Sequence, residues 1–449
     1  MKFKGTASLF ILLIVLGSWV YFTDVRGRRD REQVAEDAKK ALPIDDEEIS
    51  EISIIYPDHT ITGIRVDRGW EITSPADVEA DSREWALLAS NVPRIEREET
   101  VLSQGAELAE YGLSSPALRV VVKMSDGRTH EILFGNENPR KIYNYAKLAA
   151  NDEIFLSPSS WLRIFEKEVN DLRGKVILAF EQDDIDRIEI TGMNRLTLDR
   201  TDESWRLTGP IETRADQGEV STFLGAVNFV RASGFAEEGV DATGAGLADP
   251  SVRIVLHNEV EDEDHVLLIG RETEGEADRY FAKDEDRGTI FIVDDDIFER
   301  ANRPVFDWRD KSIASFDRDE VVEIELRRDD DRLVLRRAGE DWILPDGKKI
   351  LLDRVSGMLN TLEFERSKQI IDSPDLLGQY ELGSGRLEVV LRGDGEEILR
   401  FSFGADVDDP DGVYWKSARE TVVRVVSKDV FDRFNITAED LVEDTKGGQ

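Results

Sequence analysis

The sequence predicts an α+β fold: a single N-terminal transmembrane helix followed by three tandem repeats of an antiparallel-sheet-plus-helix domain of about 135 residues. Three observations predict it. Short strand-like and helical patterns recur three times in the same order, an uncharged segment of membrane-spanning length stands near the N-terminus, and tight turns separate neighbouring strand patterns. Runs of strands with one main helix between them favour antiparallel sheets over βαβ alternation.

The N-terminal segment has the composition of a membrane anchor. Residues 6–22 carry no charge, and a helix of this length extends about 26 Å, close to the thickness of a bilayer's hydrocarbon core. A cleaved signal peptide is the alternative interpretation, but the bulky residues 18–21 do not offer the small side chains that a signal peptidase selects. We therefore predict an uncleaved signal-anchor in the inner (cytoplasmic) membrane, with the bulk of the chain in the periplasm. The positive-inside rule favours the opposite orientation, because four arginines at residues 26–31 outnumber Lys2 and Lys4.

The clearest pattern in the sequence is its threefold self-similarity. Strand-like runs begin at Ile49, Ile185 and Val321, so each start lies 136 residues after the previous one. Further landmarks recur in the same order: a tryptophan before a proline (Trp70, Trp205, Trp342), an aspartate that predicts a helix start (Asp81, Asp216, Asp353), a strand end at a glycine (Gly135, Gly270, Gly404) and, in the first two copies, a closing Asp-x-Arg-x-Lys (residues 171–175 and 307–311). This period is too long for a solenoid unit and long enough for each copy to bury its own core.

These landmarks predict the domain boundaries. We expect the signal-anchor and its basic flank, a polar stalk and three repeat domains, in that order: residues 1–32, 33–48, 49–182, 183–318 and 319–449.

The chain is strongly acidic. It holds 95 Asp and Glu against 58 Lys and Arg, a formal net charge of −37. Such a surface repels nucleic-acid backbones and anionic lipid, so nucleic-acid binding is excluded and the charge is interpreted as keeping the chain soluble. Attraction to a basic partner or to cations is the alternative interpretation. The absence of cysteine excludes disulfides, thiolate nucleophiles and cysteine-ligated metal sites.

No pattern in the sequence predicts catalytic residues, a metal or a cofactor. The four histidines form no His-x-His or His-x-x-x-His pair, and His257 and His265 are interpreted as strand residues rather than a two-histidine site. Residues 406–412 resemble a calcium loop, but the twelfth position of that loop falls on Ala418, so a hairpin turn is predicted. A hydrolase is a further interpretation, and it requires a cluster of perturbed carboxylates in a cleft.

A strand that carries aromatic residues beside a lysine recurs in each copy. We predict a partner-contact surface on these strands, formed by Tyr145, Lys147, Tyr280, Lys283, Trp415 and Lys416. The repeated tryptophans, by contrast, alternate with polar neighbours at a period of two, which predicts core packing. A sugar- or peptide-binding groove is the alternative interpretation of these tryptophans.

The order of these motifs resembles the bacterial family known as domain of unknown function 4340 (DUF4340). In the first copy the resemblance rests on residues 70–75 and 111–116, the glycine at 135, the aromatic strand at 143–145 and residues 171–175, and over all copies it covers residues 48–449. Proteins of this family are usually encoded near ABC-type export systems similar to the gliding-motility transporters, and no catalytic residues are assigned to them. The resemblance therefore implies a tethered accessory component whose partners are ABC permease and ATPase subunits.

Together these observations predict a membrane-tethered, non-enzymatic accessory or scaffold protein of an ABC-type export or gliding-motility-like membrane complex. The alternative is an extracytoplasmic glycan- or peptide-binding module that acts independently of a transporter. That alternative predicts an aromatic groove left exposed in at least one repeat.

Overall fold

The computed structural model describes residues 39–442 apart from 103–106, 238, 276, 330, 384 and 385. These residues form three nine-stranded sheets, and each sheet draws its strands from one of the predicted repeats. The threefold repetition of a sheet domain is thereby confirmed. Every strand pair with a described register is antiparallel, as the tight turns between the strands favour.

The first sheet has the strand order β4-β3-β2-β1-β6-β7-β8-β9-β5. Its strands in chain order are β1 (Ile49–Ile55), β2 (Thr60–Val66), β3 (Gly69–Ser74), β4 (Val78–Glu79), β5 (Glu99–Leu102), β6 (Leu118–Met124), β7 (Thr129–Glu137), β8 (Tyr143–Leu148) and β9 (Ile154–Pro158).

The second sheet repeats this topology in the order β13-β12-β11-β10-β15-β16-β17-β18-β14. Its strands are β10 (Arg187–Thr191), β11 (Arg195–Thr201), β12 (Ser204–Gly209), β13 (Thr213–Arg214), β14 (Gly234–Phe235), β15 (Val252–Asn258), β16 (Glu263–Glu272), β17 (Arg279–Asp284) and β18 (Phe291–Asp294).

The third sheet has the equivalent order β22-β21-β20-β19-β24-β25-β26-β27-β23. Its strands are β19 (Glu323–Arg328), β20 (Asp331–Ala338), β21 (Asp341–Ile343), β22 (Lys349–Ile350), β23 (Gln369–Ile371), β24 (Leu387–Gly393), β25 (Glu396–Asp408), β26 (Asp411–Ser417) and β27 (Val423–Val426).

One main helix in each repeat and a few shorter helices complete the described elements. They are α1 (Ser82–Asn91), α2 (Ser159–Phe165), α3 (Val169–Leu172), α4 (Gln217–Phe229), α5 (Asp296–Ala301), α6 (Leu352–Phe364) and α7 (Lys428–Phe434). The predicted caps of the first two main helices are confirmed, because a side-chain oxygen of Asp81 and of Asp216 accepts hydrogen bonds from the first-turn amides. The third predicted start is confirmed to within one residue, because α6 begins at Leu352, but Asp353 lies inside its first turn and does not cap it.

The predicted α+β class is wrong, because the described chain is built mainly of antiparallel strands. None of the helices in the described chain is long and apolar enough to cross a membrane. The uncharged segment at residues 6–22 lies outside the described residues. Strand content was underestimated because every sheet includes strands of only two to four residues, such as β4 and β5, that carry no alternating pattern.

The strand that was expected to end at a glycine instead continues past it. Strand β7 extends to Glu137 with an irregular register after Phe134, and Gly135 sits at this irregularity. A Cβ atom at Gly135 would overlap the main-chain oxygen of Tyr111, which accepts a hydrogen bond from the amide of Asn136 at 2.9 Å. The same overlap recurs at Gly270 and Gly404, so the repeated glycine marks a close main-chain approach inside the strand.

The contacts group the described residues into two compact units. The first comprises the residues up to Val176 together with Arg231–Phe235, and the second comprises Ile177–Val230 and the residues from Ala236 onward. The first sheet lies in the first unit and the third sheet lies in the second unit.

The outer face of the third sheet buries one carboxylate among arginines. Glu325, in the middle of β19, is fully buried. It accepts hydrogen bonds from Arg327 at 2.7 and 3.0 Å and from Arg392 at 2.6 Å, and it pairs with Arg332. Burial alone would raise the pKa of Glu325, but the hydrogen bonds from the three arginines outweigh burial and lower the pKa to about 2.

We expect Glu325→Gln to destabilise the protein and to flatten its acid unfolding. Because the folded pKa of about 2 lies below the ordinary value of 4.5, the stabilisation by Glu325 is fully present above pH 4.5 and is lost as the pH falls toward 2. The shift corresponds to roughly 3 kcal/mol of unfolding free energy at neutral pH. Urea denaturation between pH 7 and pH 2 measures it, with the exposed Glu340→Gln as the control. Equal denaturation midpoints and equal pH slopes for the two variants would contradict the assignment.

Candidate functional site

The first two repeats each end in an extended segment, which we call the connector. The first connector is residues 173–176 and the second is residues 309–312. The first half of each connector pairs with its own repeat, through bridges between Ala80 and Arg173 and between Ala215 and Arg309. In the second connector the amide of Asp310 donates to the oxygen of Arg214 at 3.0 Å. The repeated Asp-x-Arg-x-Lys motif therefore leads from the end of a short helix into an extended segment that pairs beside the edge of its sheet.

The second half of each connector pairs with the segment that follows the next main helix. Val176 bridges to Arg231 within the first unit, and Ser312 bridges to Arg366 within the second unit. The amide of Ser367 donates to the oxygen of Lys311 at 2.7 Å, and the Ser367 hydroxyl donates to the same oxygen at 3.0 Å. In the second unit, the second connector thus links the second sheet to the third repeat by main-chain hydrogen bonds.

The segment before the first repeat takes the place that a connector takes in the later repeats. Lys40 bridges to Glu96, and the amide of Ala41 donates to the oxygen of Ile95 at 2.8 Å. Ala41 and Leu42 are buried in the core of the first sheet. This part of the predicted stalk is therefore packed on the first repeat, while residues 33–38 lie outside the described chain.

A buried arginine reinforces the second connector. The guanidinium of Arg309 is only 7% exposed and binds both oxygens of Asp372, at 2.6 and 3.0 Å. In the first connector the equivalent Arg173 lies over the ring of Phe235 at 3.7 Å. Burial there lowers the pKa of Arg173 from its ordinary value. The two connector arginines thus have different partners: the buried Arg309 binds a carboxylate, and the half-buried Arg173 lies on an aromatic face.

A polar cleft of about 630 Å³ lies beside the second connector. Its lining includes Arg206, Arg214 and Gln217 from the second repeat, together with Asp310 of the connector and Arg366. A second hollow, of about 700 Å³, shares Arg206, Arg214 and Asp310 with it. The cleft therefore stands where the connector meets the edge of the second sheet.

The six residues predicted to contact a partner do not form one equivalent surface. Trp415 is fully buried in the third core, while Tyr145 and Tyr280 are half-buried on their own strands. Tyr414, rather than Trp415, occupies the place of Tyr145, because its ring meets Tyr380 at 4.9 Å as Tyr145 meets Tyr111 at 4.8 Å.

The three lysines of that set are held by main-chain oxygens of the turns that follow them. Lys147 is buried and donates to the oxygen of Leu148 at 3.1 Å. Lys283 and Lys416 donate to the oxygens of Glu285 and Glu420, at 3.3 and 2.5 Å. A role of this set in partner binding stays a prediction.

The repeated tryptophans lie in the cores. Trp70, Trp205 and Trp342 are 5%, 7% and 6% exposed, which confirms the prediction of core packing. His257 faces Asp264 across a hairpin at 2.8 Å, and this hydrogen bond raises the pKa of His257 above its usual range. No group of three or more His, Asp or Glu within residues 39–442, with the gaps noted above, is arranged to hold a metal ion.

Sequence reasoning missed the pairing of the connectors and the cleft beside the second one. The repeated Asp-x-Arg-x-Lys was the available signal, but it indicates neither the partner strand nor the partner of the arginine. Each of these depends on residues at least 54 positions away, as in the bridge between Ser312 and Arg366 or the pairing of Lys311 with Ser367.

Replacing Asp372 tests whether the buried ion pair holds the second joint. We expect Asp372→Asn to lower the unfolding free energy by about 1 to 2 kcal/mol, because it leaves the buried Arg309 charge uncompensated. Arg309→Met, which removes that charge and keeps an apolar stem, should be the milder change. Urea denaturation of the full chain measures both, with limited proteolysis near residues 311–320 as a local readout.

The control for this comparison is Asp341→Asn, which breaks the exposed pair between Asp341 and Lys349 on the third sheet. It should be nearly neutral. An Asp372→Asn variant as stable as this control would contradict a structural role of the pair.

Comparison with known proteins identifies one family. A family model described as "Domain of unknown function (DUF4340)" matches residues 70–245 and again residues 205–363. The two matched segments begin at Trp70 and Trp205, the equivalent tryptophans of the first two repeats. No curated protein and no solved structure matches the chain significantly.

Proposed function

The chain belongs to the DUF4340 family, and on that premise we propose that it is a non-enzymatic accessory or scaffold protein of an ABC-type export complex. In this proposal it acts at the inner membrane, with its repeats in the periplasm and the permease and ATPase subunits as partners. The uncharged sequence at residues 6–22 supports the membrane location.

The second connector is the observation that carries the scaffold part of the proposal. Residues 309–312 are hydrogen bonded to the second sheet on one side and to the third repeat on the other. Gly- or Ser-rich linkers, which leave modules free to move, have no such pairing. Second and third repeats that are joined by main-chain hydrogen bonds and a buried ion pair are suited to present their surfaces at a fixed separation.

The charge of the chain supports the same function. A net charge of −37 disfavours contact with anionic lipid and favours contact with a basic surface of a partner. The competing function, an independent glycan- or peptide-binding module, would draw support from an exposed aromatic groove. The tryptophans that would line such a groove are buried in the cores.

Affinity purification of the tagged full-length chain from gently solubilised membranes tests the proposal. We expect permease and ATPase subunits to be recovered in stoichiometric amounts and identified by mass spectrometry. The matched control is the chain without residues 1–32, which should lose them if the membrane location brings the partners together. Recovery of the full-length chain without any integral-membrane protein would contradict the proposal.

A further inference from the structure

Two arginines without a counter-charge face each other in the second repeat. Arg206 on β12 and Arg214 on β13 are directly opposed in the register. Directly opposed residues have Cβ atoms about 5 Å apart on one face, so two positive charges repel each other there. Within the described chain, neither guanidinium has a hydrogen-bond or ion-pair partner.

This arrangement is unusual for the chain in which it occurs. Acidic residues outnumber basic ones by 95 to 58, so carboxylate partners are plentiful. Neighbouring arginines of the same repeat use them: Arg187 pairs with Asp199 and Arg303 pairs with Glu219, both at 2.9 Å. Arg206 and Arg214 differ from single unpartnered arginines because they are directly opposed, so the positive charge of each adds to that of the other.

Both arginines line the cleft beside the second connector, together with Arg366. The two carboxylates of the lining are already engaged, since Asp216 caps α4 and Asp310 accepts from the amide of Ser312 at 2.9 Å. Asp310 also lies 3.6 Å from Arg366. The cleft thus has three guanidinium groups and two occupied carboxylates.

We propose that this cleft binds the phosphate group of a phosphomonoester or of inorganic phosphate between Arg206 and Arg214. A carboxylate has two oxygens, which a single guanidinium fork satisfies. A phosphate dianion has at least three acceptor oxygens and two charges, so it can bind a fork from each strand. Its binding relieves the repulsion between the two arginines.

Of the three described repeats, only the second has two arginines at these opposed positions. The pair equivalent to Arg206 and Arg214, 135 residues earlier, is Glu71 and Glu79, which are directly opposed in the first sheet. The corresponding pair of the third sheet is Ile343 and Lys349. Charge reversal at the same fold position indicates that the arginines are not required to build the repeat, so binding accounts for them better than folding does.

Phosphate titration of Arg214→Gln in the full chain tests the proposal. The matched control is Arg195→Gln, another exposed arginine of the second sheet that has no partner in the described structure. Calorimetry with inorganic phosphate should show binding to the wild-type chain and to the control, and an affinity lowered about tenfold or more in Arg214→Gln.

Thermal unfolding gives an independent readout, because the substitution that weakens phosphate binding should not lower the unfolding temperature when phosphate is absent. In chloride at matched ionic strength, Arg214→Gln should unfold at or above the wild-type temperature, because the repulsion is gone. Phosphate should raise the unfolding temperature of the wild type and the control more than that of Arg214→Gln. Absence of phosphate binding to the wild type, or equal binding by Arg214→Gln, would overturn the proposal.

Vesicle binding distinguishes a soluble phosphate from a lipid headgroup. The chain without residues 1–32 is used for flotation, because the uncharged segment at residues 6–22 would itself retain the full chain on vesicles. Phosphatidylcholine vesicles that contain phosphatidic acid should retain this shortened wild-type chain but not its Arg214→Gln variant if the phosphate is carried by a lipid. Phosphate binding in calorimetry without such retention would assign the site to a soluble phosphomonoester or to phosphate itself.

Discussion

Main-chain hydrogen bonding by the connectors is the interaction on which the organisation of the repeats depends. A sheet leaves unpaired amide and carbonyl groups along its edge strands, and such edges invite wrong pairing unless they are covered. Here the edge next to β13 is covered by the second connector, and that connector then pairs with residues 366 and 367. The second connector therefore both covers an edge of the second sheet and links that sheet to the third repeat.

Charged side chains at the connectors and on the sheet faces have specific partners. Arg309 of the second connector is buried and paired with Asp372, while Arg173 of the first connector is half-buried and stacked on Phe235. Glu325 shows the same principle on a sheet face, since three arginines hold its carboxylate charged in a buried position. Arg206 and Arg214 differ from these arginines because they oppose each other directly and neither has a carboxylate partner in the described structure, which is why we assign them to a ligand.

Much of the fold could be predicted because its signals are local. The helix caps at Asp81 and Asp216 need only the residues of one turn. The period of the repeats and the buried tryptophans follow from spacing and alternation. The repeated glycine was recognised as a landmark, but its reason, the nearby oxygen of Tyr111, lies in another segment.

The features that could not be predicted depend on partner residues far away in the sequence, or on which of two adjacent strand residues faces the core. Two-residue strands such as β13 exist only because another strand pairs with them, so no local pattern predicts them. Trp415 was placed on a contact surface, yet a shift of one residue exchanges the faces of a strand, and the structure buries it beside the half-buried Tyr414. The cleft likewise requires residues of three separate segments, and only the folded chain brings them together.

Hydrogen–deuterium exchange of the full chain tests most directly whether the connectors form fixed joints. The amides of Ala232 and Ser367 donate to Lys175 and Lys311, the oxygens through which the connectors reach the following segments. The account predicts that these two amides exchange as slowly as amides inside the sheets. Exchange as fast as that of the exposed turn around Gly288 would contradict it, because the repeats would then be linked only by flexible chain.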